Sequence, residues 1–249
     1  MSDRRTTPLS QESFEPQTCT IDLRLEILQQ LPFFSSLTEQ QVEEANAYFR
    51  EQGFMPGELI YLMGEPARRF YVVAAGQVKL MRHTLGGQDV LLEILTPGDF
   101  FGSLAALGDE LYADTAEAQT AVCVLGISAA DFRALLERYP AVSLAVLDEV
   151  SARLRSAREM VRRLSAQPVE QRLAYTLLQL AAKLGEEREM GTLIQMPLSR
   201  ADLAGMVGTT VETASRIMSQ FQKDGLIASG RRWVAVADRD RLAHIAEAN

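Results

Sequence analysis

The chain has 249 residues, a formal net charge of −8, 47% hydrophobic and 23% charged residues. That length suits two domains, and that balance is the balance of a folded globular protein, which excludes overall disorder. No apolar run reaches the roughly 20 residues that a membrane-spanning helix needs, and the polar opening stretch lacks the apolar centre of a signal peptide. The expectation is a cytoplasmic protein with no membrane partner.

The acidic total counts against nucleic acid as a partner only when charge is averaged over the chain. Between Val169 and Asn249 the basic and acidic residues balance, ten against ten, so the acid excess lies in the N-terminal part. Only Cys19 and Cys123 are present. Far apart in sequence, they cannot build a disulfide framework or a four-cysteine metal site within one chain. The expectation is two reduced thiols, with a redox switch on this pair left open.

Residues 1–22 are polar, carry Pro8 and Pro16, and read as a flexible lead. A sensor domain is predicted over 23–139. It opens with a short helix over 23–31 and a second helix starting at Ser36 to Gln41, with Thr38 or Ser36 as cap and Gln41 as a capping-box partner. From Gly53 to about Ser128 short apolar runs such as Phe70-Tyr71-Val72-Val73 alternate with turns at Pro56-Gly57, Gly64, Gly76, Gly86-Gly87 and Pro97-Gly98. That texture predicts a β-sandwich or barrel of the jelly-roll type.

Helical periodicity returns over 131–164, interrupted at Pro140, and a long dimerisation helix is placed at 140–167. Leu147, Val150, Leu154, Ala157, Val161 and Leu164 follow alternating steps of three and four, the seam of a coiled coil. A helix packed on its own domain has the same spacing; a position between two domains favours a dimer helix. Pro168 then ends the helix, an apolar helix runs from Val169 to Leu184, and Gly185-Glu186-Glu187-Arg188-Glu189 reads as a solvated turn.

The last domain, 168–249, carries the functional signal. Ser199-Arg200-Ala201-Asp202 has the form of a helix start, Gly208 ends that helix, and another begins at Thr209-Thr210-Val211-Glu212. Small Ala204 and Ala214 allow close approach, with Val207, Ile217 and Phe221 as the core between the helices. Two short helices joined by a glycine turn form a helix-turn-helix, and Leu226 to Val236 adds two strands around Arg231-Arg232, a wing. Val211, Glu212, Ser215 and Arg216 face the base edges of double-stranded DNA: Arg216 suits guanine, Glu212 cytosine, Val211 a thymine methyl. The competing reading makes Glu212 the partner of Thr209 in a capping box and Arg216 an ordinary surface residue. Ser199, Arg200, Thr210, Thr213, Arg231 and Arg232 are the phosphate candidates.

The order of β-roll, long helix and winged helix-turn-helix resembles the CRP/FNR regulators over nearly the whole chain. Val211-Glu212-Thr213-Ala214-Ser215-Arg216 resembles the V-E-T-x-S-R element of the FNR branch. The resemblance implies an α+β chain with a cyclic-nucleotide-binding-like β-roll and a homodimer reading a palindrome of TTGAT-like halves. RNA polymerase is a partner if the protein is an activator. In the cyclic-AMP-binding members the segment resembling Gly98 to Leu104 carries Glu at the Ser103 position and an Arg about ten residues later. Here the later stretch reads Tyr112-Ala113-Asp114-Thr115-Ala116, without the arginine and with an aspartate that repels phosphate. Cyclic-nucleotide binding is therefore not expected. The four-cysteine iron–sulfur cluster of oxygen-sensing FNR proteins cannot form in one chain, and the histidine of the carbon-monoxide-sensing haem branch, near Leu104, is absent.

Gly102, Ser103, Leu104, Asp114 and Thr115 line an emptied nucleotide pocket open to another small ligand. His83 and His244 read as solvated side chains. No metal site and no catalytic constellation is expected, and the cofactor, if any, is unknown: a haem responding to nitric oxide, a redox signal, an organic ligand and none all remain open. The alternative from another class is a ligand-binding or protein-interaction module whose winged helix contacts protein rather than DNA.

Overall fold

The computed structural model describes residues 8–9, 19–83, 89–102 and 111–247. Most of the predicted lead, Ser103, Leu104 and the Gly86-Gly87 turn lie outside the described residues. From Cys19 onward the described chain forms two compact units that divide between Ser156 and Ala157.

The first unit begins with α1 (Ile21–Gln30) and α2 (Glu39–Asn46). Thr38 caps α2 in a reciprocal box, its hydroxyl accepting the Gln41 N–H while its own N–H donates to Gln41 Oε1 at 2.9 Å. The strands β1 (Arg50–Phe54), β2 (Leu59–Tyr61), β3 (Arg69–Ala75), β4 (Val78–His83), β5 (Asp89–Leu95), β6 (Phe100–Gly102), β7 (Thr115–Ala118) and β8 (Val122–Ser128) come next in the chain. They pair antiparallel in two sheets, ordered β1-β8-β3-β6 and β2-β7-β4-β5, the predicted roll. Helix α3 (Ala129–Arg138) and the first part of the long α4 (Pro140–Ala166) complete the first unit, and the break at Pro140 falls where the sequence places it.

β3 and β8 are apolar almost throughout because both faces of their sheet are covered. Side chains alternate across a strand. On β8, Val122 and Val124 turn into the space between the sheets, while Cys123, Leu125 and Ile127 turn outward into a second core. That outer core also contains Ile27 and Leu28 of α1, Leu31 just after it, Phe132 and Leu135 of α3, and Val142 and Val146 of α4.

This packing overturns the expectation of two separate reduced thiols. Laying α1 on the outer face of the roll brings Cys19 beside Cys123, and the two are joined in a disulfide with Cα atoms 6.2 Å apart across a sequence separation of 104.

The second unit contains α5 (Val169–Leu184), β9 (Gly185–Arg188), β10 (Gly191–Ile194), α6 (Arg200–Val207), α7 (Val211–Lys223), β11 (Ile227–Gly230), β12 (Trp233–Val236) and α8 (Arg239–Glu247). Its sheet runs β11-β12-β10-β9. The charged stretch after α5 is therefore an edge strand and not a turn. All four residues of β9 are exposed. Exposed charge marks an edge strand that does not recruit further strands, and only backbone pairing with β10 reveals it.

The core between the roll sheets holds a group of aromatic rings among aliphatic side chains. Tyr61 and Tyr112 stack with centroids 3.8 Å apart, and Tyr71 and Phe101 stack at 5.3 Å. The Tyr61 hydroxyl donates to Asp114 Oδ1 at 2.8 Å, and the Met63 N–H donates to the buried Thr115 hydroxyl at 3.0 Å. Burial raises the Asp114 carboxyl above the ordinary carboxylate value, opposed by the Tyr61 hydrogen bond and the charge of Arg82. A carboxyl raised in this way holds its proton longer in the folded chain than in the unfolded one. Its contribution favours folding at low pH and is lost as pH rises through the window between the two values. Asp114→Asn keeps an acceptor for Tyr61 and removes the buried charge. Thermal melts from acidic to neutral pH are expected to show a variant at least as stable as the wild type at neutral pH, with a weaker decline across that window.

Candidate nucleic-acid interface

Helix α6 starts in a closed capping box, with the Asp202 N–H donating to Ser199 Oγ at 3.0 Å and the Ser199 N–H to Asp202 Oδ2 at 2.7 Å. It ends at Gly208, whose left-handed backbone (φ 63°, ψ 55°) reverses the chain. Only glycine enters that region without a steric penalty. A side chain there would also meet Leu164, whose Cδ2 lies 3.1 Å from where a Cβ would sit. Ala204 and Ala214 are buried, and Val207, Ile217 and Phe221 fill the core as the sequence suggests.

The cap of α7 is Thr210, whose hydroxyl accepts the Thr213 N–H at 3.2 Å. Thr209 lies one residue before the cap, so the capping box between Thr209 and Glu212 does not form. The Glu212 carboxylate is left for solvent. Val211, Glu212 and Arg216 are exposed and Ser215 is half-buried, all on the face opposite the buried Ala214, Ile217, Met218 and Phe221. Among the described residues neither the Glu212 nor the Arg216 side chain has a partner. An acceptor and a guanidinium fork thus stand one turn apart, unspent, at the start of the helix.

The six phosphate candidates divide. Arg231 and Arg232 are exposed at the tip between β11 and β12, where Arg232 takes a positive φ of 61°. Its carbonyl accepts the Leu198 N–H at 3.1 Å, which fixes this uncommon backbone. Arg200 is half-buried and its Nη2 donates to Ser229 Oγ at 3.1 Å, bracing the start of α6 against β11. Burial lowers the pKa of that guanidinium. The Ser199 and Thr210 hydroxyls act as cap acceptors, and the Thr213 hydroxyl accepts from that of Thr210 at 3.1 Å.

Arg172 is a residue that the sequence did not single out. From the first turns of α5 its Nε donates to the Val207 carbonyl at 2.9 Å, its Nη1 to Leu164 and Gln167 carbonyls at 3.1 and 3.0 Å, and its Nη2 to Gly208 at 3.3 Å. One side chain therefore ties the end of α4 to the turn that aims α7. The available signal was its place: a cation near a helix N-terminus opposes the macrodipole, so it needs carbonyls to hold it.

Along α4, Leu147, Leu154, Ala157, Val161 and Leu164 of the predicted seam are exposed. Val150 departs from it and packs against the outer core of the first unit. Leu144, 65% exposed, extends the stripe by one step toward Pro140. The effector candidates Asp114 and Thr115 have their polar groups engaged by Tyr61 and Met63. At Gly102 a Cβ would lie 2.8 Å from the Arg69 carbonyl oxygen and 3.1 Å from the Tyr71 ring. Gly102 therefore lies against the Arg69 backbone and the Tyr71 and Tyr112 rings. Among the described residues no cluster of His, Cys, Asp or Glu is placed to hold a metal ion, and no helix is long and apolar enough to cross a membrane.

A two-sheet roll followed by a long helix and a winged helix-turn-helix defines a DNA-reading regulator. Comparison with known proteins gives the same class. Residues 51–139 match the cyclic nucleotide-binding domain and residues 171–245 match the Crp-like helix-turn-helix domain. The chain is 31% identical over 215 residues to the cyclic AMP receptor protein of Thermus thermophilus, covering 86% of this chain and 96% of that protein. It is 24% identical to the fumarate and nitrate reduction regulatory protein of Escherichia coli K12, covering 87% and 86%. The structure of FixK2 from Bradyrhizobium japonicum superposes with a TM-score of 0.70 at 25% identity, covering 81% and 98%. The chain belongs to the CRP/FNR family of DNA-binding transcription regulators, which are not enzymes.

Arg172→Met removes a charged donor from four carbonyls. The variant is expected to lose about 2–3 kcal/mol of stability, measurable by urea unfolding followed through Trp233 fluorescence.

Proposed function

We propose that the protein is a homodimeric regulator that reads a palindrome of TTGAT-like half-sites in cytoplasmic DNA. The observation that carries this reading is the unpartnered pair Glu212 and Arg216 on the exposed face of α7, flanked by Val211 and Ser215. Arg216 donates twice to a guanine, Glu212 accepts from a cytosine, and Arg231 and Arg232 neutralise backbone phosphates. The apolar stripe Leu144, Leu147, Leu154, Val161 and Leu164 meets its copy, which spaces two reading helices about 34 Å apart, one turn of DNA. As an activator, the bound dimer recruits RNA polymerase.

The effector is neither cyclic AMP nor an iron–sulfur cluster. The Thermus relative is called a cyclic AMP receptor protein, but this chain has no arginine over 111–118 to meet a cyclic phosphate and holds Asp114 there instead. A redox signal fits the residues better, because Cys19 and Cys123 are joined in a disulfide.

Gel-shift titration against matched and scrambled palindromes tests the code. Arg216→Ala is expected to lose ~1–3 kcal/mol of selectivity per half-site; unchanged selectivity would assign the code elsewhere. Affinity is expected to fall steeply with salt, because phosphate contacts release counterions. Leu154→Asp places a charge in the stripe and is expected to convert the dimer to monomer in sedimentation velocity, with loss of palindrome binding.

A further inference from the structure

Cys123 is fully buried at the start of β8, opposite Gly53 of β1 and Ala75 of β3. Cys19 is half-buried and directly precedes Thr20, the cap of α1. The 6.2 Å between their Cα atoms falls within the ~4.4–6.8 Å that a bridge spans. Both cysteines pack in the outer core that also holds Val142 and Val146, with Val150 against its edge. The opposite side of that helix carries the exposed Leu144, Leu147 and Leu154. Cys123 thus belongs to the same core as Val142 and Val146, the side of the helix that faces away from the stripe.

We infer that Cys19 and Cys123 form a reversible redox site that takes a hydroperoxide as oxidant and a dithiol as reductant. Its state sets how firmly α1 and the first half of α4 are held. The effect on DNA rests on the reading of α4 as the dimer helix.

Two features separate this site from a structural staple. The first is that α1 is docked without it. Ile27, Leu28 and Leu31 are buried, Arg24 donates to Asn46 Oδ1 at 3.1 Å and to the Asn46 and Phe49 carbonyls at 3.3 Å, and it pairs with Glu51. Reduction frees only the leading end of the helix, and the thiols stay close enough to reclose. The second is asymmetry of access: Cys19 is reachable from solvent and Cys123 is not. In a compartment kept reducing, a bridge of this kind forms when the redox balance shifts.

Atoms and electrons balance in both directions. The Cys19 thiolate attacks the peroxide O–O bond, giving a sulfenic acid and releasing an alcohol or water. The Cys123 sulfur then displaces the sulfenic hydroxyl, which leaves as water with the Cys123 proton, and two electrons have passed from the sulfurs to the peroxide. A dithiol reverses this through a mixed disulfide and departs as its own disulfide.

The test uses the full chain, treated with hydrogen peroxide or with dithiothreitol. Intact mass, thermal melting, amide exchange over residues 140–150 and gel shifts on the matched palindrome are read on both forms. The oxidised protein is expected to weigh two hydrogens less and to melt roughly 5–10 °C higher, because the bridge closes a long loop. Its α4 amides exchange more slowly, and it binds the palindrome several-fold tighter. Cys19→Ser, which leaves the buried Cys123 in place, is expected to match the reduced form and to ignore peroxide. Absence of the mass change, or a mass change with identical melting and α4 exchange, overturns the site; equal DNA affinity of the two forms overturns its coupling to the stripe. If neither form prefers the palindrome to scrambled DNA, the base code fails, while mass, melting and exchange still decide the redox site.

Discussion

The central strands β8 and β3 of the sheet β1-β8-β3-β6 are buried on both faces, and most of the first unit depends on that constraint. Alternation alone assigns Val122 and Val124 to one core and Cys123, Leu125 and Ile127 to another. A shift of one residue along β8 would exchange the two sets. The inner set meets aromatic rings that occupy the space between the sheets. The outer set seats α1, α3 and the start of α4, so strand register fixes where the long helix leaves the roll. The same outer core explains why Val150 faces inward while Leu147 and Leu154 face solvent: α4 is a core helix along one side and an unpartnered helix along the other.

In the second unit the equivalent constraint is smaller and polar. Carbonyls at a helix end need donors, and Arg172 supplies them at two helix ends together. With Gly208 reversing the chain and Thr210 capping the next helix, the direction of α7 is set by a few backbone hydrogen bonds and not by its own recognition residues. Glu212, Ser215 and Arg216 are thereby relieved of structural work. Their chemistry is available to a ligand because none of it is spent on the fold.

The parts legible in the sequence were those with local causes. The capping boxes at Thr38 and Ser199, the stop at Gly208 and the breaks at Pro140 and Pro168 all depend on residues within a few positions of one another. What escaped was non-local. The strand character of Glu186, Glu187 and Arg188 comes from pairing with β10, against their composition. The bridge from Cys19 to Cys123 needs α1 folded back on β8, and separation along the chain carries no information about that. Arg172 looked like any helix arginine until its carbonyl partners, up to 36 residues away, were in place. At the candidate site the exposed face of α7 was readable from period and cap. The bracing role of Arg200 was not, because it depends on Ser229 in the wing.

The sheet of the second unit has unlike ends. β11 and β12 carry Arg231 and Arg232 at their tip, and the opposite edge is β9, with Glu186 and Glu187 exposed. From Val169 to Asn249 the basic and acidic residues balance, ten against ten, so the two ends of this sheet differ by the placement of charge and not by its sum. A polyanion would meet the basic tip on better terms than the β9 edge, where Arg188 pairs with Glu186 at 2.7 Å and offsets part of the acid. A domain without net positive charge gains, through its edge strand, part of the steering that basic domains obtain from charge alone.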